Sequence, residues 1–80
     1  MDMSILERER PPYMSPQVLA AALVESAHLD PLVAKCLELN EIDTDVLQFL
    51  DENSYKEAGI LSSLDRAKIQ GWGKKHGYIL

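Results

Sequence analysis

Residues 39–60, LNEIDTDVLQFLDENSYKEAGI, decide the fold of this chain together with residues 62–75, SSLDRAKIQGWGKK. The first stretch contains side chains that can cap helix N-termini: Asp43 or Thr44, and then Asp51. Gly59 follows the second start and can take the left-handed backbone conformation that ends a helix. We therefore predict two short helices within residues 39–60 and a longer helix, capped by Ser62, in the second segment.

Two further helices are predicted before this stretch. Ser15 and Asp30 each precede a proline, which combines a capping side chain with a proline at the first helical position. We predict helices over residues 16–28 and 31–39, with apolar residues at helical spacing. The apolar residues expected to line the five helices are Val18, Leu19, Ala22, Leu23, Ala27, Leu32, Val33, Cys36, Leu37, Leu39, Val46, Leu47, Phe49, Leu50, Tyr55, Ala58, Leu64, Ala67, Ile69 and Trp72.

No strand pattern competes with these helices, so the predicted fold class is all-α, a small five-helix bundle. The bundle is predicted over residues 15–76, with a flexible N-terminal tail at 1–14 and a C-terminal tail at 77–80. Gly71 and Gly73 weaken the end of the last helix, since glycine costs about 1 kcal/mol relative to alanine there. Fraying over residues 71–77 is expected unless Trp72 packs firmly.

Length and composition restrict the classes of protein that this chain can represent. Eighty residues suffice for one small domain, and 46% of them are hydrophobic. The apolar runs are too short for a membrane span or a signal peptide, so an intracellular place, cytoplasmic or nuclear, is expected. A lone Cys36 and two distant histidines, His28 and His76, provide neither an internal disulfide nor zinc spacing. We expect no cofactor and no metal.

Charge is unevenly distributed along the chain, whose formal net charge is −5. Acidic residues crowd the middle, whereas the last helix contains mainly basic ones. A dipolar domain of this kind can associate head to tail through oppositely charged faces, although solvated helix surfaces produce the same pattern.

The stretch around residues 39–60 resembles the sterile alpha motif (SAM) family, whose core reads roughly NEIDGxxLLxLTEEDLKELGI followed by xxxGxRxKIL. The matching residues are Asn40-Glu41-Ile42-Asp43, Leu47, Leu50, Lys56-Glu57-Ala58-Gly59-Ile60, Arg66, Lys68 and Ile69. The resemblance covers about residues 18–75 and is strongest after residue 39. Two departures are Leu64, where the family has a glycine, and the missing tryptophan near the domain start.

The resemblance implies a SAM-like protein-binding module, often self-associating, in a regulatory or scaffolding role. An acidic mid-loop surface of one copy would meet the end-helix surface of another. The mid-loop surface would comprise Glu41, Asp43, Asp45, Asp51 and Glu52. The end-helix surface would comprise Leu61, Leu64, Asp65, Arg66 and Lys68, with the two leucines as its apolar centre. Partners would be a second copy of the chain or another SAM domain.

Three alternatives remain open from the sequence. Leu61 and Leu64 are equally interpretable as core residues, with the charges serving only solubility. A small helical regulator that binds RNA or DNA is the second alternative, through a basic group on the last helix: Arg66, Lys68, Lys74, Lys75 and His76. The acidic net charge disfavours it. Catalysis has the least support, because the carboxylates lie on short helices where nothing indicates a perturbed pKa.

Overall fold

Five helices make up the part of the chain that the structure describes. A computed structural model describes residues 11–80. The helices, in chain order, are α1 (Pro16–Ala27), α2 (Pro31–Leu39), α3 (Thr44–Leu47), α4 (Glu52–Glu57) and α5 (Ser63–Lys75). No β-strand occurs among residues 11–80. The predicted all-α class and five-helix bundle are confirmed; α2 has the predicted bounds, and α1 ends one residue earlier than predicted.

Every helix begins at a side chain that accepts a hydrogen bond from a backbone amide of its own first turn. These capping residues are the predicted ones: Ser15, Asp30, Asp43, Asp51 and Ser62. Of the two candidates for α3, Asp43 is the cap, and Thr44 is buried within the first turn. Prolines occupy the first position of α1 and α2, where a missing amide hydrogen costs nothing.

Gly59 ends α4 in the predicted left-handed conformation, with φ +87°. The next amide, that of Ile60, reaches back to the Tyr55 carbonyl at 2.9 Å. This is the Schellman arrangement, in which a left-handed residue directs the chain away from the helix axis. The turn places Ile60 in the core and leaves Leu61 outside it.

One cluster of buried apolar side chains joins the helices, and α1 packs against both α2 and α5. Its members are Leu19, Ala20, Leu23, Leu29, Ala34, Leu37, Ile42, Leu47, Tyr55, Ala58, Ile60, Ile69 and Trp72. Helix α3 contributes only Leu47 from its apolar residues, because a helix of one turn has room for little more than one inward position.

The core prediction was wrong for several apolar side chains, which are exposed instead. They are Val18, Leu32, Leu39, Val46, Phe49 and Ala67; Leu64, also predicted for the end-helix surface, is exposed as that surface requires. Each helix of a small bundle buries a narrow stripe, so an apolar residue beside that stripe remains in solvent. Phe49 lies beyond the end of α3, in the turn before α4.

The C-terminal residues pack against the bundle, which differs from the tail predicted at 77–80. Helix α5 continues to Lys75, and Trp72 is buried. Fraying was expected only without firm packing of Trp72, and this packing is present. The ring of Tyr78 stacks on Trp72 with centroids 5.3 Å apart. The Tyr78 and Ile79 amides both donate to the Gly73 carbonyl, at 2.8 and 3.1 Å. Trp72 therefore holds the chain beyond the helix.

The N-terminal side of the bundle also extends beyond its predicted boundary. Three hydrogen bonds join Met14 and Thr44. The Met14 amide donates to Thr44 Oγ1 at 3.0 Å, and the Thr44 amide and hydroxyl donate to the Met14 carbonyl at 3.2 and 3.4 Å. The Tyr78 hydroxyl donates to the Pro12 carbonyl at 2.7 Å. The predicted tail at 1–14 is thus corrected for residues 12–14; residues 1–10 lie outside the described part.

Gly71 and Gly73 offer a matched test of helix propensity against close packing in α5. No atom lies within 4 Å of a Cβ added at Gly71, whereas one at Gly73 would lie 2.5 Å from Ile79 Cδ1 and 3.4 Å from Leu47 Cδ2. Gly71→Ala should raise the free energy of unfolding by about 1 kcal/mol. Gly73→Ala displaces Ile79, so its free energy of unfolding should be about 1 to 2 kcal/mol lower than that of Gly71→Ala. Urea unfolding of both variants checks this, and equal stabilities would contradict it.

Candidate functional site

Two exposed apolar pairs, each three residues apart, stand out on the surface of the bundle. Val46 and Phe49 flank the end of α3, and Phe49 is 76% exposed. Leu61 and Leu64 flank the start of α5, at 68% and 73% exposure. The interpretation of these two leucines as core residues is therefore wrong. Contiguous exposed apolar residues are typical of binding surfaces; Leu32 and Leu39 on α2 are exposed to a similar degree.

The first pair lies in the chain among the carboxylates of the mid-loop surface. Asp43 caps α3 through the Val46 amide, at 2.9 Å. Asp51 caps α4 by accepting from both the amide and the hydroxyl of Ser54, at 2.8 and 2.9 Å. Asp45 is exposed in the first turn of α3. In the sequence, Asp43 and Asp45 precede Phe49 and Asp51 follows it.

Glu41 joins this surface through an unusual backbone conformation. It follows α2 with φ +53°, while the Ile42 amide donates to the Leu37 carbonyl at 3.0 Å. A non-glycine residue in the left-handed region is uncommon. The turn buries Ile42 and leaves Glu41 exposed.

Glu52 is placed apart from the other mid-loop residues. Its carboxylate lies 3.6 Å from Lys56 Nζ, one turn later in α4, and 3.7 Å from Arg66 Nη1 on α5. Glu52 therefore faces the end-helix surface of its own chain. The mid-loop grouping of Glu41, Asp43, Asp45, Asp51 and Glu52 stays a prediction, and within it Glu52 contacts Lys56 and Arg66.

Arg66 is turned inward at the start of α5. Its side chain is only 18% exposed, and its Nη2 donates to the Leu61 carbonyl at 2.8 Å. The guanidinium thus holds the loop that contains Leu61 against the start of α5. Because Arg66 already has partners in its own chain, it supports the end-helix surface more than it supplies a free charge.

The remaining end-helix residues border the two leucines. The Asp65 amide donates to Ser62 Oγ at 3.4 Å as part of the cap of α5. Lys68 is exposed, and its Nζ donates to the His28 carbonyl at 3.2 Å, beside the end of α1. Lys68 therefore provides the accessible positive charge next to Leu64, one turn away on the same face of α5.

A shallow groove of about 300 Å³ separates α4 from α5 on this side of the bundle. Its lining residues are Glu52, Tyr55, Ser63, Arg66, Ala67 and Gln70. The Tyr55 hydroxyl and Arg66 Nε are buried at its base without a hydrogen-bond partner. Burial raises the pKa of the Tyr55 phenol, an effect that the nearby Gln70 side chain and the Arg66 charge oppose.

Metal-binding clusters and membrane-spanning helices are absent from the described residues. No group of three or more histidine, cysteine, aspartate or glutamate side chains that could hold a metal ion occurs in residues 11–80. None of the described helices is both long and apolar enough to cross a membrane. Cys36 is half-buried, with its Sγ 3.6 Å from the position of a Cβ on Gly59.

Val46 and Phe49 are surface residues that the sequence prediction counted among the apolar residues lining the helices. Residues three apart lie on the same face of a helix, whereas residues one or two apart do not. The spacing therefore places Phe49 with the exposed Val46 and away from the buried Leu47.

The aspartate caps predict a specific loss of stability in acid. The Val46 amide holds the pKa of Asp43 below its ordinary value, and the Ser54 amide does the same for the pKa of Asp51. A carboxyl whose pKa is lowered by folding stabilises the fold above its unfolded pKa and loses this contribution as the pH falls. We expect the free energy of unfolding to decrease below the ordinary aspartate pKa of 3.8.

An Asp43→Asn, Asp51→Asn double variant should show a weaker pH dependence, since asparagine caps a helix without titrating. Urea unfolding followed by circular dichroism between about pH 5 and pH 2 measures this. The same pH dependence in the variant and the wild type would show that other carboxylates cause the acid sensitivity.

The fold and its two apolar pairs define the class of protein, a small all-α bundle with a charged, partly apolar surface. Comparisons with family models, with curated proteins and with solved structures found no match for this chain.

Proposed function

We propose that this chain is a protein-protein interaction module of the SAM type that self-associates or pairs with another SAM domain. The mid-loop surface of one copy, extended by Val46 and Phe49, would contact the end-helix surface of the next. Its role would be regulatory or scaffolding, by bringing together the proteins that contain it.

A single observation carries the proposal: two exposed apolar pairs have flanks of opposite charge. Phe49 lies between Asp45 and Asp51, whereas Leu64 lies one turn from Lys68. Apolar side chains at the centre of an interface supply most of its affinity once they are desolvated. Charges around them chiefly set orientation and association rate. The exposed leucines and Lys68 on one surface and the exposed Phe49 with its flanking aspartates on the other support this pairing, although Asp65 beside Leu64 reduces the positive charge of the end-helix surface.

A contact between two different surfaces of identical chains is heterologous. Each copy then retains one unused surface of each kind, so a pair can add further copies. The result is an open chain of molecules unless the rotation between neighbours closes a ring. Oligomers larger than a dimer are therefore expected as the concentration rises.

Sedimentation velocity over a wide concentration range tests the proposal. We expect the weight-average sedimentation coefficient to rise with concentration. The same rise should be seen at high salt, because the apolar pairs lie at the centre of the contact. Nucleic-acid binding, in contrast, weakens steeply with salt. A chain that remains monomeric at every concentration would rule out self-association and leave pairing with a different SAM domain.

A further inference from the structure

The side chain of Tyr13 holds the N-terminal segment, residues 11–14, against the start of α3. Its hydroxyl donates to Asp43 Oδ2 at 3.0 Å, while the other oxygen of that carboxylate caps α3. Three hydrogen bonds between Met14 and Thr44 continue the attachment. One carboxylate therefore serves both the helix cap and the N-terminal segment.

Tyr13 differs from the two other tyrosines of the chain in accessibility. It is 60% exposed and lies outside any helix. Tyr55 is 1% exposed, and its hydroxyl lies in the interior. Tyr78 is half-buried, stacks on Trp72 and donates its hydroxyl to the backbone. Of the three tyrosines, only Tyr13 presents an accessible ring outside a helix.

We propose that Tyr13 is a phosphorylation site for a tyrosine kinase, and that the phosphoryl group releases residues 11–14 from α3. In the reaction the Tyr13 oxygen attacks the γ-phosphorus of ATP, and an O–P bond forms. The bond between that phosphorus and the β–γ bridging oxygen breaks, ADP leaves, and the phenol proton passes to a base of the kinase. The inference holds whether or not the chain self-associates.

The negative charge of nearby carboxylates makes phosphorylation incompatible with the hydrogen bond between Tyr13 and Asp43. The phosphoryl group adds a charge of about −1.5 to −2 at neutral pH and removes the hydroxyl hydrogen that Asp43 accepts. Asp45 is a second carboxylate near Tyr13, and its charge acts on the same phenol. Among residues 11–80, the side-chain hydrogen bond of Tyr13 is the one to Asp43, a carboxylate. Repulsion therefore separates Tyr13 from α3.

Amide hydrogen exchange of the full chain tests the proposal after phosphorylation. The kinase is chosen because it phosphorylates a synthetic peptide of residues 8–18 with ATP and Mg²⁺, and mass spectrometry locates the phosphate. We expect phosphate on Tyr13 and not on Tyr55. The Thr44 amide, which donates to Met14, should then exchange about tenfold faster or more.

Tyr13→Phe is the control, because it removes the bond to Asp43 without adding charge. The Thr44 amide of Tyr13→Phe should exchange more slowly than that of the phosphorylated chain. In Tyr13→Glu the exchange rate of this amide should lie between those two rates. A kinase that modifies the peptide but not the folded chain would overturn the site. Unchanged Thr44 exchange after phosphorylation would overturn the release of the segment.

Discussion

Leu64→Asp is expected to weaken self-association by about thirtyfold or more, as loss of a central interface anchor does. Leu64 is 73% exposed, so its replacement removes no core contact. It occupies the second position of α5, where an acidic side chain interacts favourably with the helix dipole. The fold should therefore survive, which circular dichroism verifies, while sedimentation velocity measures the loss of association.

Phe49→Lys is the complementary change, on the mid-loop side. It removes the exposed ring and places a positive charge where Lys68 of the neighbouring copy would approach. Each variant alone should remain monomeric. An equal mixture of Leu64→Asp and Phe49→Lys should form dimers only, because one intact surface of each kind remains.

Val18→Asp is the matched control for both changes, since Val18 is exposed but belongs to neither pair. It should associate as the wild type does. Equal loss of association in all three variants would indicate a nonspecific effect of charge. Association that survives Leu64→Asp would place the interface elsewhere on the molecule.

Trp72→Ala is expected to cost about 3 to 5 kcal/mol of the free energy of unfolding, as large-to-small changes in a core do. The total for an 80-residue domain is about 4 to 12 kcal/mol. Trp72 is buried and stacks on Tyr78, so the change removes core volume and the anchor of the C-terminal residues together. Urea unfolding followed by circular dichroism measures the loss.

Trp72→Phe is the control for this prediction. It retains an aromatic ring, and the indole Nε1 that it deletes is buried without a hydrogen-bond partner. We therefore expect most of the stability to remain in Trp72→Phe. If Trp72→Ala had the same urea midpoint of unfolding as the wild type, the ring would contribute little to stability and the packing described for α5 would be wrong.

The candidate site was predictable in part from the sequence. Carboxylates at Asp43 and Asp51 were predicted as helix caps, and that local role holds. The inward turn of Arg66 toward Leu61 and Glu52 was not predictable, because it depends on how closely α4 approaches α5. Exposure of Phe49 was missed because every apolar residue of positions 46–50 was counted as lining the helix, although Val46 and Phe49 do not share a face with Leu47.

By itself the sequence determined the all-α class, the order of the helices, their capping residues and the left-handed turn at Gly59. These features depend on interactions within a few residues, so the local pattern contains the necessary information. Tertiary structure alone decided which apolar side chains remained exposed and how residues 12–14 and 78–79 joined the bundle. Those outcomes depend on contacts between residues far apart in the chain, such as Tyr78 with Pro12, whose geometry no local pattern specifies.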